Sequence, residues 1–400
     1  MKTLYKSQFD RIKTFLKQYE YLHDREFIKK YPDSYPVEIQ PWIEELRNWG
    51  LRDISTLESN PHEDLVLNSS FKHFIKTIRD LTELSESEKN ELTLPNELRK
   101  NLNPKKIHEI EKIKGLVGNI SDLSTIIDIG GGVGHLSCSL VYGSNLKSIC
   151  VDMNEELQIS GKKRVTQILK NEDSIDFVKA LFDRNTILNK TFCVDHTVLL
   201  GLHSCGDLSP SILRFGVENN IGHVLSFGCC YHKIENELNM SKYSKKDEYK
   251  LSKSALHLAS RCGGIVDESN LMKRLRQKQF RYTLHYLVHS INNSSFKSIG
   301  NALPADYLNF YDYCMKFDHQ KILTSLNEDE VNQFYEESTE KVWDHYLADT
   351  IRLLLGRVIE VYIALDRAIY LEENNYSVVV EGLFDRALSP RNIMLRATPL

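Results

Sequence analysis

Four short runs of β-branched and apolar residues, each flanked by glycine turns or helical periodicity, constrain this chain more than any other feature. They are Ser124–Ile129, Ser148–Val151, Thr197–Leu202 and His223–Phe227. Helical patterns separate them, through Leu136 and Leu140, through Leu157, Val165, Ile168 and Leu169, and from Ile212 to Val217. Parallel strands need such crossovers, so the pattern predicts an α/β, doubly wound Rossmann-like sheet with helices on both faces. The 400 residues are 41% hydrophobic, enough for a sizeable core. A charged fraction of 26% and a net charge of −4 exclude disorder and a wholesale nucleic-acid coat.

The first strand runs into Asp128-Ile129-Gly130-Gly131-Gly132-Val133-Gly134-His135. Glycines between a strand and a helix tolerate positive φ and leave the backbone open to a ligand. A dinucleotide fingerprint would need a small residue where His135 stands, and no Lys-Ser/Thr pair follows for a P-loop. The spacing Asp-x-Gly-x-Gly-x-Gly, with Asp152 ending the second strand, instead resembles class I S-adenosylmethionine-dependent methyltransferases. That resemblance implies a cofactor site made by Asp128, Gly130, Gly131, Gly132, Gly134 and Asp152. Its second-strand carboxylate accepts both ribose hydroxyls, as a carboxylate's lone pairs allow. Asp128 would accept from the cofactor's ammonium group or from donors of the loop. Asp183, in Ala180-Leu181-Phe182-Asp183-Arg184, is either an adenine-side contact at the end of a further strand between Val151 and Thr197 or a solvated loop acid.

The strands Thr197–Leu202 and His223–Phe227 end in Gly201-Leu202-His203-Ser204-Cys205-Gly206-Asp207-Leu208 and Gly228-Cys229-Cys230-Tyr231-His232-Lys233. Ligands of open parallel sheets bind beyond the carboxyl ends of the strands, so both segments should face the glycine turn, with His203 bordering the cofactor as well. His203 or His232 is the expected general base or acceptor-positioning donor. Cys205, Cys229 and Cys230 would shape the acceptor pocket, as nucleophilic thiols or as small apolar residues. Cys and His are the usual zinc ligands, but neither segment has C-x₂-C spacing, and no metal ligand is assigned.

Around this core (96–239) lie an N-terminal helical region (1–95), a helical insertion (240–375) and a terminal β-hairpin (376–400) completing the sheet. The N-terminal region shows Phe9, Ile12, Leu16 and Tyr19 at helical spacing and is punctuated by Pro32, Pro36, Pro41 and Pro61. Trp42 and Trp49 read there as a packed core stripe. No apolar run reaches the length of a membrane helix, and the first twenty residues fit neither a secretory nor a transit signal. The expectation is a cytoplasmic or nuclear protein, with eight reduced cysteines. From Lys233 to Lys297 thirteen bases face six acids, a local excess that could track RNA phosphates or coat a solvated helix. No protein partner can be read from the sequence.

Together these segments resemble the methyltransferase-like protein 25 family, also described as ribosomal RNA adenine dimethylase domain-containing proteins. The residues that carry the likeness are Asn103-Pro104-Lys105-Lys106-Ile107-His108-Glu109, the DIGGGVGHL run from Asp128, GLHSCGDL from Gly201, GCCYHK from Gly228, Leu383-Phe384-Asp385 and Ser389-Pro390-Arg391-Asn392. The resemblance covers the chain from about residue 100 and implies the methyltransferase fold and its S-adenosylmethionine cofactor. Base-amino methyltransferases carry an Asn/Asp-Pro-Pro-aromatic motif where His203-Ser204-Cys205-Gly206 stands here. The H-x-C-G and C-C-x-H patterns are similar to those of a eukaryotic tRNA 2′-O-methyltransferase, which implies an RNA ribose hydroxyl as acceptor. A protein or small-molecule methyltransferase is the alternative enzyme, and a non-catalytic cofactor-binding adaptor the alternative of another class.

Overall fold

The structure, a computed structural model, describes residues 2–33, 35–87, 92–169, 172–188, 191–264, 267–318 and 321–400. Its described strands are β1 (Ser85–Glu86), β2 (Thr125–Ile129), β3 (Lys147–Asp152), β4 (Ile175–Lys179), β5 (Thr197–Cys205), β6 (His223–Cys229), β7 (Tyr376–Gly382) and β8 (Ile393–Pro399). They form one sheet in the order β1-β7-β8-β6-β5-β2-β3-β4. Neighbours from β6 to β4 are parallel, with Ile127 of β2 opposite Ile149 on one side and Leu199 on the other. The order reverses at β2, so the glycine turn after it opens at the topological switch point. The α/β class and the sheet-completing hairpin expected from the sequence are both present.

All five residues of β2 are buried, which is why its sequence shows no polar alternation. Ile126, Cys150, Val198, Leu200, Leu225 and Phe227 pack into a core with Ile110, Ile113 and Val117 of the helix Pro104–Gly118 and Leu136 and Leu140 of His135–Val141. On the opposite face Val224 and Leu199 press against Gly216 of the helix Leu208–Glu218 so closely that an added Cβ would lie 2.8 Å from Val224 Cγ2. β8 inserts between β6 and β7, antiparallel to both. The Tyr376 hydroxyl anchors this hairpin by donating to the Gly216 and Ile221 carbonyls.

Two compact units interleave along the chain. The first comprises residues 1–17, 81–264 and 357–400 and contains the whole sheet. Phe9 of its N-terminal helix stacks on Tyr362 at 4.4 Å, and the Tyr5 hydroxyl donates to the Val378 carbonyl. The second unit comprises 18–80 and 265–356. There Phe280, Leu284 and Leu287 of the helix Glu268–Asn292 pack against Phe310, Tyr313 and Phe317. Trp42 is buried and stacks on Phe71 at 4.9 Å, whereas Trp49 lies past the end of the helix Gln40–Arg47 and is only half-buried, so the tryptophan stripe is realised at one position.

Candidate active site

At the end of β2 the chain cannot turn into the next helix without positive φ, and Gly130, Gly132 and Gly134 adopt +73°, +56° and +68°. The Gly130 and Gly131 amides donate to the Val151 carbonyl of β3, at 2.8 and 3.1 Å, pinning the turn to the neighbouring strand. The Gly132 amide donates to Asp152 Oδ2 at 3.0 Å, and the Gln158 amide group donates to the Gly132 carbonyl at 2.8 Å. Asp152 Oδ1 accepts the Asn154 amide at 2.8 Å. Each carboxylate oxygen keeps a second lone pair, so Asp152 can still accept two hydroxyls. A Cβ at Gly130 or Gly132 would meet only side-chain tips, at 3.8 Å or beyond. The space above the turn is therefore open to a ligand.

Asp128 is 2% exposed. Its Oδ2 accepts the Ser137 hydroxyl at 2.8 Å, and Ser137 lies in the first turn of the helix that Gly134 leaves without a side-chain cap. Its carboxylate thus serves a donor at the start of that helix. Burial pushes its carboxyl above the usual range, which the Ser137 hydrogen bond opposes. Asp183 lies four residues past β4. It is exposed, and its carboxylate accepts the Asn185 amide and the Thr186 hydroxyl in a self-contained turn.

β5 runs further than the apolar pattern predicts, to Cys205, through an irregularity between Gly201 and Ser204. The bulge residue His203 has φ +56°. That conformation aims its ring at the helix Pro104–Gly118, where His203 Nε2 lies 2.7 Å from Glu109 Oε1. Glu109 is 1% exposed and also accepts the Ser389 hydroxyl at 2.7 Å. Burial, the largest single influence, opposes the charged forms of both groups, but their hydrogen bonds and charges together outweigh it: His203 and Ser389 lower the Glu109 carboxyl, and the Cys229 sulfur and Glu109 raise the imidazole. Sequence reasoning assigned Glu109 and Ser389 no role. Both stood inside segments already singled out, and only the sheet closure brings position 389 to position 109.

Cys205 and Cys229 are ladder partners at the ends of β5 and β6, and Cys230 follows with φ +44°. The three sulfurs lie within 4.8 Å of one another, with Cys229 and Cys230 3.5 Å apart. Sharing of hydrogen bonds splits their acidity: the Cys229 contact pulls the Cys205 thiol down, and the Cys229 thiol is pushed up to about 12 by Cys205 and by burial. His232 lies two residues past Cys230. Its Nδ1 is 2.9 Å from the Ser260 hydroxyl and its ring stacks on His257 at 4.5 Å, both on the helix Lys253–Arg261. Burial and the neighbouring His257 lower its pKa.

Beneath this edge, the Glu360 carboxylate accepts from Arg357 at 2.7 Å, from Arg391 at 3.3 Å and from the Tyr231 hydroxyl at 3.4 Å. Every one of these groups is nine-tenths buried or nearly so, and together they fix the segment carrying Cys229 and Cys230. The glycine turn adjoins the start of the helix after β5, since a Cβ at Gly130 would lie 3.8 Å from Leu208 Cδ2. In the basic stretch, Lys253 donates to the His232 and Ile234 carbonyls, and Arg274 and Lys278 pair with Glu58 and Asp349. Arg276 and Arg281 are bound to backbone carbonyls. Lys233, Lys242, Lys245, Lys246 and Lys250 stay exposed.

A protein-family model described as a methyltransferase domain matches residues 105–237. The chain is 25% identical over 265 residues to the human protein described as probable methyltransferase-like protein 25, across 60% of this chain and 43% of that protein. The mouse protein of the same description is 25% identical over 227 residues, 50% of this chain and 36% of that one. The match therefore spans less than half the length of these relatives. A solved structure, YjhP of E. coli, aligns with 33% of this chain and 55% of its own at 14% identity and a TM-score of 0.25. No helix among the described residues is long and apolar enough to cross a membrane.

Proposed function

We propose that the chain methylates RNA from S-adenosylmethionine, at a ribose 2′-hydroxyl rather than a base amino group, a reading supported by the methyltransferase-domain model that matches residues 105–237. The observation that carries the cofactor assignment is the open glycine turn whose Gly132 amide is held by Asp152, a carboxylate with lone pairs to spare. When bound, the cofactor supplies an electrophilic methyl group to an in-line nucleophile. Gly130 to Gly134 would take its amino-acid end, Asp152 its ribose hydroxyls and Asp183 or its loop the adenine side. His203 borders the pocket, oriented by Glu109.

His232 is the residue assigned to accept the acceptor's proton. Its lowered pKa leaves it neutral near pH 7, and Ser260 holds Nδ1, which leaves Nε2 as the site of proton uptake. His203, whose pKa is raised, serves as the positioning group, with Cys205, Cys229 and Cys230 shaping the pocket beside it. Support for RNA comes from the exposed lysines between 233 and 250 and from the absence of an amino-directed motif after β5.

Calorimetric titration with S-adenosylmethionine and S-adenosylhomocysteine tests the cofactor site. Asp152→Ala should weaken binding roughly 10–100-fold, the loss expected of hydrogen bonds to a charged acceptor. Transfer of radiolabelled methyl into RNA, followed by alkaline hydrolysis, should leave label in alkali-resistant dinucleotides. Label in protein or small molecules would favour the alternative enzyme, and cofactor binding without turnover the adaptor. His232→Gln should lower turnover by about 10²–10⁴-fold while leaving cofactor affinity unchanged.

A further inference from the structure

Three thiols from two strand ends converge at one point on the carboxyl edge of the sheet. None is fully buried, unlike Cys138, Cys150, Cys262 and Cys314, which sit in the core as small apolar residues do. A tetrahedral zinc ion with Zn–S bonds near 2.3 Å places its sulfurs about 3.8 Å apart. The Cys229–Cys230 separation of 3.5 Å and the mutual limit of 4.8 Å bracket that spacing. Adjacent cysteines in a strand point to opposite faces and could not share an ion. Here the left-handed conformation of Cys230 breaks the strand after Cys229 and folds its sulfur back.

We propose that Cys205, Cys229 and Cys230 hold a zinc ion through their three sulfurs, with the fourth position left to water or another exogenous donor. An all-sulfur set selects a thiophilic ion over magnesium or calcium. The surroundings are those of a supported metal site. His203, two residues before Cys205, is held by Glu109, while Tyr231, next to Cys230, is locked to Glu360. Spacing along the sequence conceals such a site because two of its ligands meet across a β ladder. The site does not depend on the methyl-transfer reading; where that reading holds, the open position adjoins the acceptor pocket.

The test uses the full chain, stripped of metal and kept in a non-thiol reductant, titrated with Co²⁺ in the spectrophotometer. One equivalent should bind, giving sulfur-to-cobalt charge-transfer bands and the intense visible bands of a four-coordinate ion, both lost on adding zinc. Cys205→Ser, Cys229→Ser and Cys230→Ser should each reduce the charge-transfer intensity and weaken binding. Glu109→Gln should weaken it about 10–100-fold, as outer-shell changes do. In the unaltered chain, zinc should shield Cys205, Cys229 and Cys230 from alkylation while the exposed Cys193 reacts as before. Cobalt bound without charge-transfer bands, alkylation indifferent to zinc, copper in place of zinc in the isolated protein, or a disulfide among the three would each overturn the proposal. S-adenosylmethionine affinity measured on Cys230→Ser separates this outcome from failure of the cofactor site.

Discussion

Gly131 is constrained by packing, not by φ: a Cβ there would stand 2.5 Å from Cys150 Sγ and 2.9 Å from Asp128 Oδ2. Gly131→Ala should therefore destabilise the protein by about 1–3 kcal/mol, read by urea denaturation. Gly118→Ala should not, because nothing lies within 4 Å of the new methyl at that helix end. The glycine run was legible in the sequence as a ligand turn because its spacing alone implies a backbone that must bend sharply. The division of labour within it was not. Asp128 reads as a site residue, but the fold buries its carboxylate against the start of a helix that lacks its own cap.

The elements around the site are coupled by a buried charge cluster. Glu360, on the helix Thr339–Glu373, lies between Arg357 and Arg391, and removing its charge leaves two guanidinium groups without their common partner. Glu360→Leu should cost about 3–5 kcal/mol in chemical denaturation, the range for breaking a buried pair from one side. Loosening of the 228–231 segment should follow, seen as faster alkylation of Cys229 and Cys230. In the second unit Asp349 plays the corresponding part. It accepts from Lys278 and Tyr282 at 2.6 and 2.5 Å, and those contacts with Arg352 hold its carboxyl below the usual range against burial. The sequence reads as helical from about 240 to 375. It could not foretell that their charged residues turn inward, because a charge is placed inside only once its partner is.

For the whole molecule, three strongly shifted histidines contribute to the response to acid. Burial lowers His135, His285 and His345 to about 4 from an ordinary 6.5, so each is neutral when folded and protonates more readily when unfolded. The unfolded state then binds more protons between about pH 6.5 and 4, and stability should fall as pH drops through that window. The melting temperature should decline from pH 7 to pH 5, with His345→Phe shallower than the parent if the 3%-exposed His345 contributes as its burial predicts. The sequence by itself determined four strands of the sheet and its closing hairpin, the glycine turn with Asp152, and the thiol-bearing ends of β5 and β6, because strand periodicity and backbone freedom are local properties, whereas β1 lies in a stretch read as helical. Only the tertiary structure decided that Glu109, His203 and Ser389 form one hydrogen-bonded group, that His232 belongs with Ser260 and His257, and that three sulfurs meet. Those pairings join residues up to 280 positions apart, and such neighbours exist only after the core has closed.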